Sequence, residues 1–279
     1  MRKNRKNSSH TRGKRICRIA FLLVGSLVLG GCGEKKEKAA DSELPELVIG
    51  MDYFEPYSYQ TSDGEYKGVD VELAEEALQR LGYQPKFENI IWEDKDELLA
   101  DGTIDCLWSS YSMNGREDKY QWAGPYLYSR QMVVVKAESE IQTLQDLKGK
   151  RIAVQATTKA EDLFLHNIAS DLPQMEQVNC FSTTNELYAA LRKNYVDAIA
   201  GHEAMLGSLV KDGKGIYRML EESPYKSELG IAFKKETHRE LAADLTETLK
   251  EMQDEGVTEE IVTKYGLDAD KILPGGERK

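Results

Sequence analysis

The sequence predicts an α/β fold with a mostly parallel sheet, divided between two lobes, and three observations lead there. Short apolar runs of strand length alternate with segments whose apolar residues recur at helical spacing. Glycines stand just after helical segments, at Gly82 and Gly256, where a helix stop needs them. The alternating series also occurs twice, with no visible sequence repeat between the two, so the lobes are alike in kind only.

Taken in order, Leu47-Val48-Ile49-Gly50 reads as the first strand. Residues 70–81 place Leu73, Ala74, Ala77, Leu78 and Leu81 on one helical face. Strands are expected at about 84–90, 104–108 and 131–136, with a helix near 94–100. The second series has strands at 150–154, 176–181 and 196–200 and helices at 158–169 and 184–193. A weakly patterned stretch at 202–222 precedes a strand at 229–233. The last long helix, 237–254, carries Leu241, Leu245, Leu249 and Met252 on one side.

The 279 residues are 41% hydrophobic and 30% charged, enough for a sizeable core, with a formal charge of −11. No run reaches the ~18 apolar residues of a spanning helix, and an acidic chain is a poor nucleic-acid binder. The charge is unevenly spread. Residues 1–31 hold eight Lys or Arg and no acid, leaving 29 basic against 48 acidic residues in 32–279, a net −19. Residues 19–31, IAFLLVGSLVLGG, follow this basic head as the apolar core of a secretory signal. Residues 32–46 are polar and aperiodic, and read as a flexible tether. Cys106 and Cys180 sit in apolar, strand-like surroundings, IDCLW and VNCFS, so buried thiols are expected rather than a bridge.

Catalytic spacing is absent: the chain has no GxSxG, GxxxxGK[ST] or GxGxxG, and His202-Glu203 does not continue into HExxH. Metal-type CxxC spacing is missing too, so neither a cofactor nor a metal is expected. The chain does carry an aromatic loop after the first strand, with Asp52, Tyr53, Phe54, Tyr57, Tyr59 and Tyr66 among turn-forming residues. Such a loop at the carboxyl end of a strand is placed to present rings to a cleft. Packing of the rings onto the sheet is the alternative.

The segments VIGMDYFEPYSY, GEYKGVDVELAEEALQRLGY, IIWEDKDELLADGTIDCLWSSYSMNGRED, WAGPY, LKGKRIAVQATT and YVDAIAGHEA, in that order, resemble bacterial extracellular solute-binding proteins of family 3. Leu29-Gly30-Gly31-Cys32 likewise resembles a lipoprotein cleavage box, with Cys32 becoming the lipid-modified N-terminus. The resemblance implies a two-lobed type II periplasmic-binding-protein fold with a discontinuous first lobe. It places lobe 1 at 47–128 and 229–270, lobe 2 at 129–228 and a tail at 271–279, with crossings near Tyr126–Arg130 and Lys226–Gly230. It further implies a monomeric, membrane-anchored, non-enzymatic receptor that closes on an amino acid or related carboxylate and serves an ABC permease, with no role for nucleic acid; the alternatives are a cyclohexadienyl-dehydratase-like enzyme on the same fold, with His202, Glu203 or Glu55 as its acid or base, and a ligand sensor for a signalling partner.

Carried over residue by residue, the resemblance assigns Arg116 to the ligand carboxylate, which a guanidinium fits with two parallel bonds. The turn before it, Met113-Asn114, is one residue shorter than the family pattern. Ser110 and Ser112 match positions that hold the ligand's charged end, or serve as plain turn residues. Thr157 and Thr158 open a helix, where they face an anion or cap the helix. Phe54 and Trp92 match an aromatic pair lining a side-chain pocket, whereas Trp108 reads as core. Asp52 either contacts the ligand or caps its loop. His202 falls where the resemblance expects an aspartate for an ammonium group, and a neutral imidazole cannot supply that charge. Either Glu203, Asp52 or Glu55 replaces it, or the ligand lacks a conventional ammonium, or the register moves by one to Glu203.

Overall fold

The computed structural model describes residues 44–168 and 171–275. The signal segment, Cys32, the tether up to residue 43 and the last four residues of the tail lie outside the described residues. Strand β1 (Glu46–Met51) leads through the short hairpin β2 (Tyr59–Gln60) and β3 (Tyr66–Lys67) into α1 (Val69–Leu81) and β4 (Gln84–Asn89). There follow α2 (Lys95–Asp101), β5 (Cys106–Ser112) and the long β6 (Tyr120–Lys136). The second series is β7 (Arg151–Gln155), α3 (Lys159–Phe164), β8 (Gln177–Phe181), α4 (Thr184–Arg192), β9 (Ala198–His202) and α5 (Glu203–Asp212). The chain ends with β10 (Tyr217–Met219), β11 (Tyr225–Lys234), α6 (Arg239–Asp254), α7 (Val257–Lys264) and α8 (Ala269–Ile272).

Among the described residues one continuous sheet runs β4-β1-β5-β11-β6-β9-β7-β8, with β10 on the far end of β6. Strands β4, β1 and β5 are parallel, as are β9, β7 and β8. The two parallel groups are joined by antiparallel β6 and β11, which pair from Lys234↔Tyr120 to Tyr225↔Gln131. The near half of β6 thus belongs to lobe 1 and the far half, paired with β9 through Gln131↔His202, to lobe 2. These two strands are the crossings. Their register shifts between Leu229 and Ile231, beside Gly124 and Pro125, where a proline cannot donate to the ladder.

Burial follows the sequence pattern. Ile49, Met51, Leu73, Ala77, Leu78, Trp108, Phe233 and Leu245 pack the lobe 1 core, while Val133, Ile152, Val154, Leu163 and Ala198 pack that of lobe 2. Parallel strands buried on both faces explain why these runs read as nearly continuous apolar residues.

Five expectations need correcting. The strand expected at 131–136 is the end of a 17-residue strand, because Gly124-Pro125 interrupts the apolar pattern upstream. The helix expected over 158–169 stops at Phe164. The weak stretch at 202–222 folds as α5 and β10. Cys180 is exposed rather than buried, since β8 is the edge strand of lobe 2 and one face of it meets solvent; Cys106 is fully buried. The segment read as a tail starts inside α8, whose Ile272 is buried, and Gln253 Nε2 donates to Pro274 O.

Candidate functional site

The carboxyl ends of four strands converge at the seam between the lobes. Strand β1 delivers Asp52 and Phe54, β5 delivers Ser109 to Ser112, β7 delivers Gln155 and Thr158, and β9 ends in His202. Together with Trp92 and Lys159 they line a cavity. A smaller chamber adjoins it behind Phe54 and His202 and is floored by Gln131, Leu187 and Met205.

Seven expected residues line the main cavity: Asp52, Phe54, Trp92, Ser110, Ser112, Thr158 and His202. Of the aromatic loop, only Phe54 faces the cavity. Tyr57 is buried in the core, Tyr53 is exposed, and Tyr66 packs on Phe87. Packing onto the sheet therefore describes Tyr57 and Tyr66.

Arg116 stands just outside the wall. Its Nη2 donates to Asp162 Oδ2 at 2.6 Å and its Nη1 to Ser112 O at 3.1 Å, and its guanidinium lies 5.1 Å from the centre of the Tyr111 ring. Thr157 is also outside the wall, in a left-handed conformation (φ 58°), and its N–H donates to the Glu161 carboxylate. Thr158 caps α3 with its backbone while its Oγ1 donates to Gln155 O at 2.7 Å.

Ser110 also has a left-handed backbone (φ 49°), and a buried carboxylate holds it. Asp70 Oδ2 accepts from Ser110 N (2.6 Å) and Ser110 Oγ (3.0 Å), and Oδ1 from Tyr126 OH (2.8 Å). Burial outweighs these bonds and raises Asp70 to about 7. Desolvation likewise raises Asp52 to about 6, against the bonds from Gln155 and from the Tyr53 N–H.

His202 is buried and uncharged at neutral pH, because desolvation first and the nearby Arg116 second lower it to about 4. Its Nδ1 meets Ser129 Oγ at 2.9 Å and its Nε2 meets Gln131 Nε2 at 3.2 Å, so both ring nitrogens are engaged with the β6 crossing. Its ring stands edge-on to Phe54 with centroids 5.5 Å apart. Glu203 points elsewhere, holding Arg130 with bonds of 2.8 and 2.6 Å. Glu55 is exposed.

Four wall residues escaped the sequence reading: Ser109, Tyr111, Gln155 and Lys159. Lys159 is 3% exposed; its ammonium donates to Asn114 O at 2.7 Å and lies 3.2 Å from Asp162 Oδ2. A signal was available, since Lys159 is the first residue of a helix, where the helix dipole disfavours a cation. Bonds from Gln155 to Asp52, Arg116 to Asp162, Lys159 to Asn114 and Ser182 to Glu93 all run between the lobes, so the cleft is closed. No group of metal-type side chains occurs among the described residues, and no described helix is long and apolar enough to cross a membrane.

Two strand series joined by two crossings, with a cavity at their seam, find their counterpart in known proteins. Residues 47–268 match the family described as bacterial extracellular solute-binding proteins, family 3. The chain belongs to that family. Among relatives of this family 3 protein, the L-cystine-binding protein TcyJ of Escherichia coli K12 is 27% identical over 258 residues, covering 91% of this chain and 95% of the relative. The L-cystine-binding protein TcyA of Bacillus subtilis is 25% identical, covering 92% and 100%. Among solved structures, a substrate-binding protein of an ABC uptake transporter from Streptococcus pneumoniae with bound histidine superposes with a TM-score of 0.73 at 25% identity, covering 80% and 93%.

Proposed function

We propose that this family 3 protein is a monomeric receptor, anchored to the membrane through lipid on Cys32 after removal of residues 1–31, that closes its lobes on an amino acid or related small carboxylate and hands it to an ABC permease. The observation that carries the ligand reading is the closed seam, where Asp52 lies in the same wall as Lys159, with Arg116 behind. The cystine-binding and histidine-bound relatives support it. In this reading Lys159 receives the carboxylate with the Arg116 charge behind it, Phe54, Trp92 and Tyr111 enclose the body of the solute, and Ser110 and Ser112 hold its charged end.

The same reading makes the protein a carrier and not an enzyme. The acid–base candidates of the sequence are spoken for: His202 has both nitrogens engaged, Glu203 is paired with Arg130, and Glu55 faces solvent.

A thermal-shift screen of amino acids, their dimers and organic acids tests the function, because a ligand held only by the folded state raises the midpoint by mass action. A concentration-dependent rise with at least one carboxylate is expected; no rise with any member contradicts the reading. Arg116→Ala is expected to weaken that ligand at least ~30-fold by calorimetry, the scale for removing one partner of a buried charge pair. Unchanged affinity removes Arg116 from the site. Mass spectrometry of the membrane fraction checks the anchor: Cys32→Ala should abolish lipid attachment.

A further inference from the structure

We propose that Asp70 is a positioning residue of the ligand site: it commits the hydrogen of the Ser110 hydroxyl, so that Ser110 meets the solute as an acceptor and selects one that presents an ammonium there. This rests on the receptor reading and deepens it. Asp70 is fully buried and does not line the cavity, whereas Ser110 does. Its carboxylate stands in the first turn of α1, where Asp70 N donates to Tyr57 O at 2.8 Å, and reaches the end of β5 from the core side. There Ser110 keeps its left-handed backbone, which a residue with a side chain holds only under restraint.

The direction of each bond follows from the groups that have no choice. An N–H can only donate, so the bond from Ser110 N fixes Asp70 Oδ2 as an acceptor. Burial raises Asp70 to about 7, and when the carboxyl holds a proton that proton therefore sits on Oδ1, towards Tyr126. In either state the Ser110 hydroxyl must donate to Oδ2. Its lone pairs are what remains for a solute. With an apolar side chain in place of Asp70 the hydrogen loses its acceptor and turns to the cavity, and an acceptor becomes a donor.

Other hydroxyls of the wall are committed in the same sense. Ser58 Oγ donates to the carbonyl of Asp52, so Ser109 Oγ donates to Ser58. Tyr120 donates to the Asp96 carboxylate, so Tyr111 donates to Tyr120. Thr158 Oγ1 donates to Gln155 O, while Ser112 Oγ holds Asn114 Oδ1 only loosely, at 3.5 Å. Ser112 apart, no hydroxyl lining the cavity has a hydrogen left for a solute. The Asp52 carboxylate in the same wall keeps acceptor capacity beyond its bonds from Tyr53 N and Gln155. An ammonium, which only donates, matches such a wall; a solute without donors leaves these acceptors unpaired.

Calorimetry on the full mature protein tests this, with the standard amino acids and cystine, and with the deamino analogue of each that binds, such as imidazolepropionate for histidine and dithiodipropionate for cystine. In the wild type the amino acid is expected to bind at least about a hundredfold tighter than its analogue. Asp70→Leu should shrink that ratio about tenfold, because the analogue never used the Ser110 acceptor, with cooperative thermal unfolding as the check on folding. A purely structural role would weaken both compounds alike and leave the ratio where it was. Asp70→Asn keeps an acceptor for both Ser110 donors, with its amide N–H towards Tyr126, and should hold the ratio within about threefold of wild type. Ser110→Ala removes the acceptor itself, should shrink the ratio like Asp70→Leu, and serves if that variant does not fold. An unchanged ratio in Asp70→Leu, or in Ser110→Ala where it stands in, overturns this inference and leaves the receptor reading intact, as does a wild type that binds analogue and amino acid equally. Failure of every amino acid and every analogue overturns both.

Discussion

Replacing Asp70 by alanine removes the acceptor of three hydrogen bonds at once, from Ser110 N, Ser110 Oγ and Tyr126 OH. Each donor left buried and unpaired costs about 1–3 kcal/mol. Allowing for non-additivity, the loss is roughly 3–6 kcal/mol when the carboxyl is neutral. The ionised form is another matter, because burial raises Asp70 from 3.8 to about 7. A raised carboxyl pKa means that the folded state holds the proton more tightly than the unfolded state. Stability therefore falls as pH rises from about 4 to about 7, by up to ~4 kcal/mol. Alanine lacks that penalty. Urea denaturation at pH 5 and pH 8 should show Asp70→Ala destabilised by several kcal/mol at pH 5 and by markedly less at pH 8, with ligand affinity reduced at both because Ser110 loses its tether. Equal destabilisation at the two pH values, or less than ~1 kcal/mol at pH 5, refutes the reasoning.

His202 works in the opposite direction. Its folded pKa lies near 4, below the usual 6.5, so its stabilising contribution is present above pH 6.5 and is lost, by up to ~3 kcal/mol, as pH falls toward 4; in a pH series of denaturation curves, His202→Gln should lack this component. Gly68 has φ +128°, and a Cβ there would lie 2.1 Å from Tyr57 O, so Gly68→Ala should lower the melting temperature by at least ~6 °C; a smaller change would mean the loop before α1 relaxes freely.

The layered fold was readable because parallel strands buried on both faces leave long apolar runs, such as Ile152 to Val154 and Ala198 to Ala200. What stayed hidden was set by tertiary contact. Strand β6 runs on through Pro125 because β11 pairs with it on both sides of the shift in register. Asp70 looks like an ordinary acid in the first turn of α1, yet the chain folds Tyr126 and Ser110 over it. Lys159 looks like a solvated helix residue until lobe 1 brings the carbonyl of Asn114 to it. The resemblance assembled Asp52, Phe54, Trp92, Ser110, Ser112, Thr158 and His202 in one wall, but the hold of Asp162 on Arg116 joins residues 46 positions apart and left no local trace.

The return of the chain through β11 has a consequence for the order of assembly. Lobe 2 is built from one uninterrupted stretch, so its partners are all present once β10 and the first residues of β11 have been made. Lobe 1 waits for β11 and α6, the pieces that flank β5 and cover the sheet, and these come from the last quarter of the chain. The aminoterminal half must stay uncommitted, with strand edges open, until its carboxyl-terminal complement arrives.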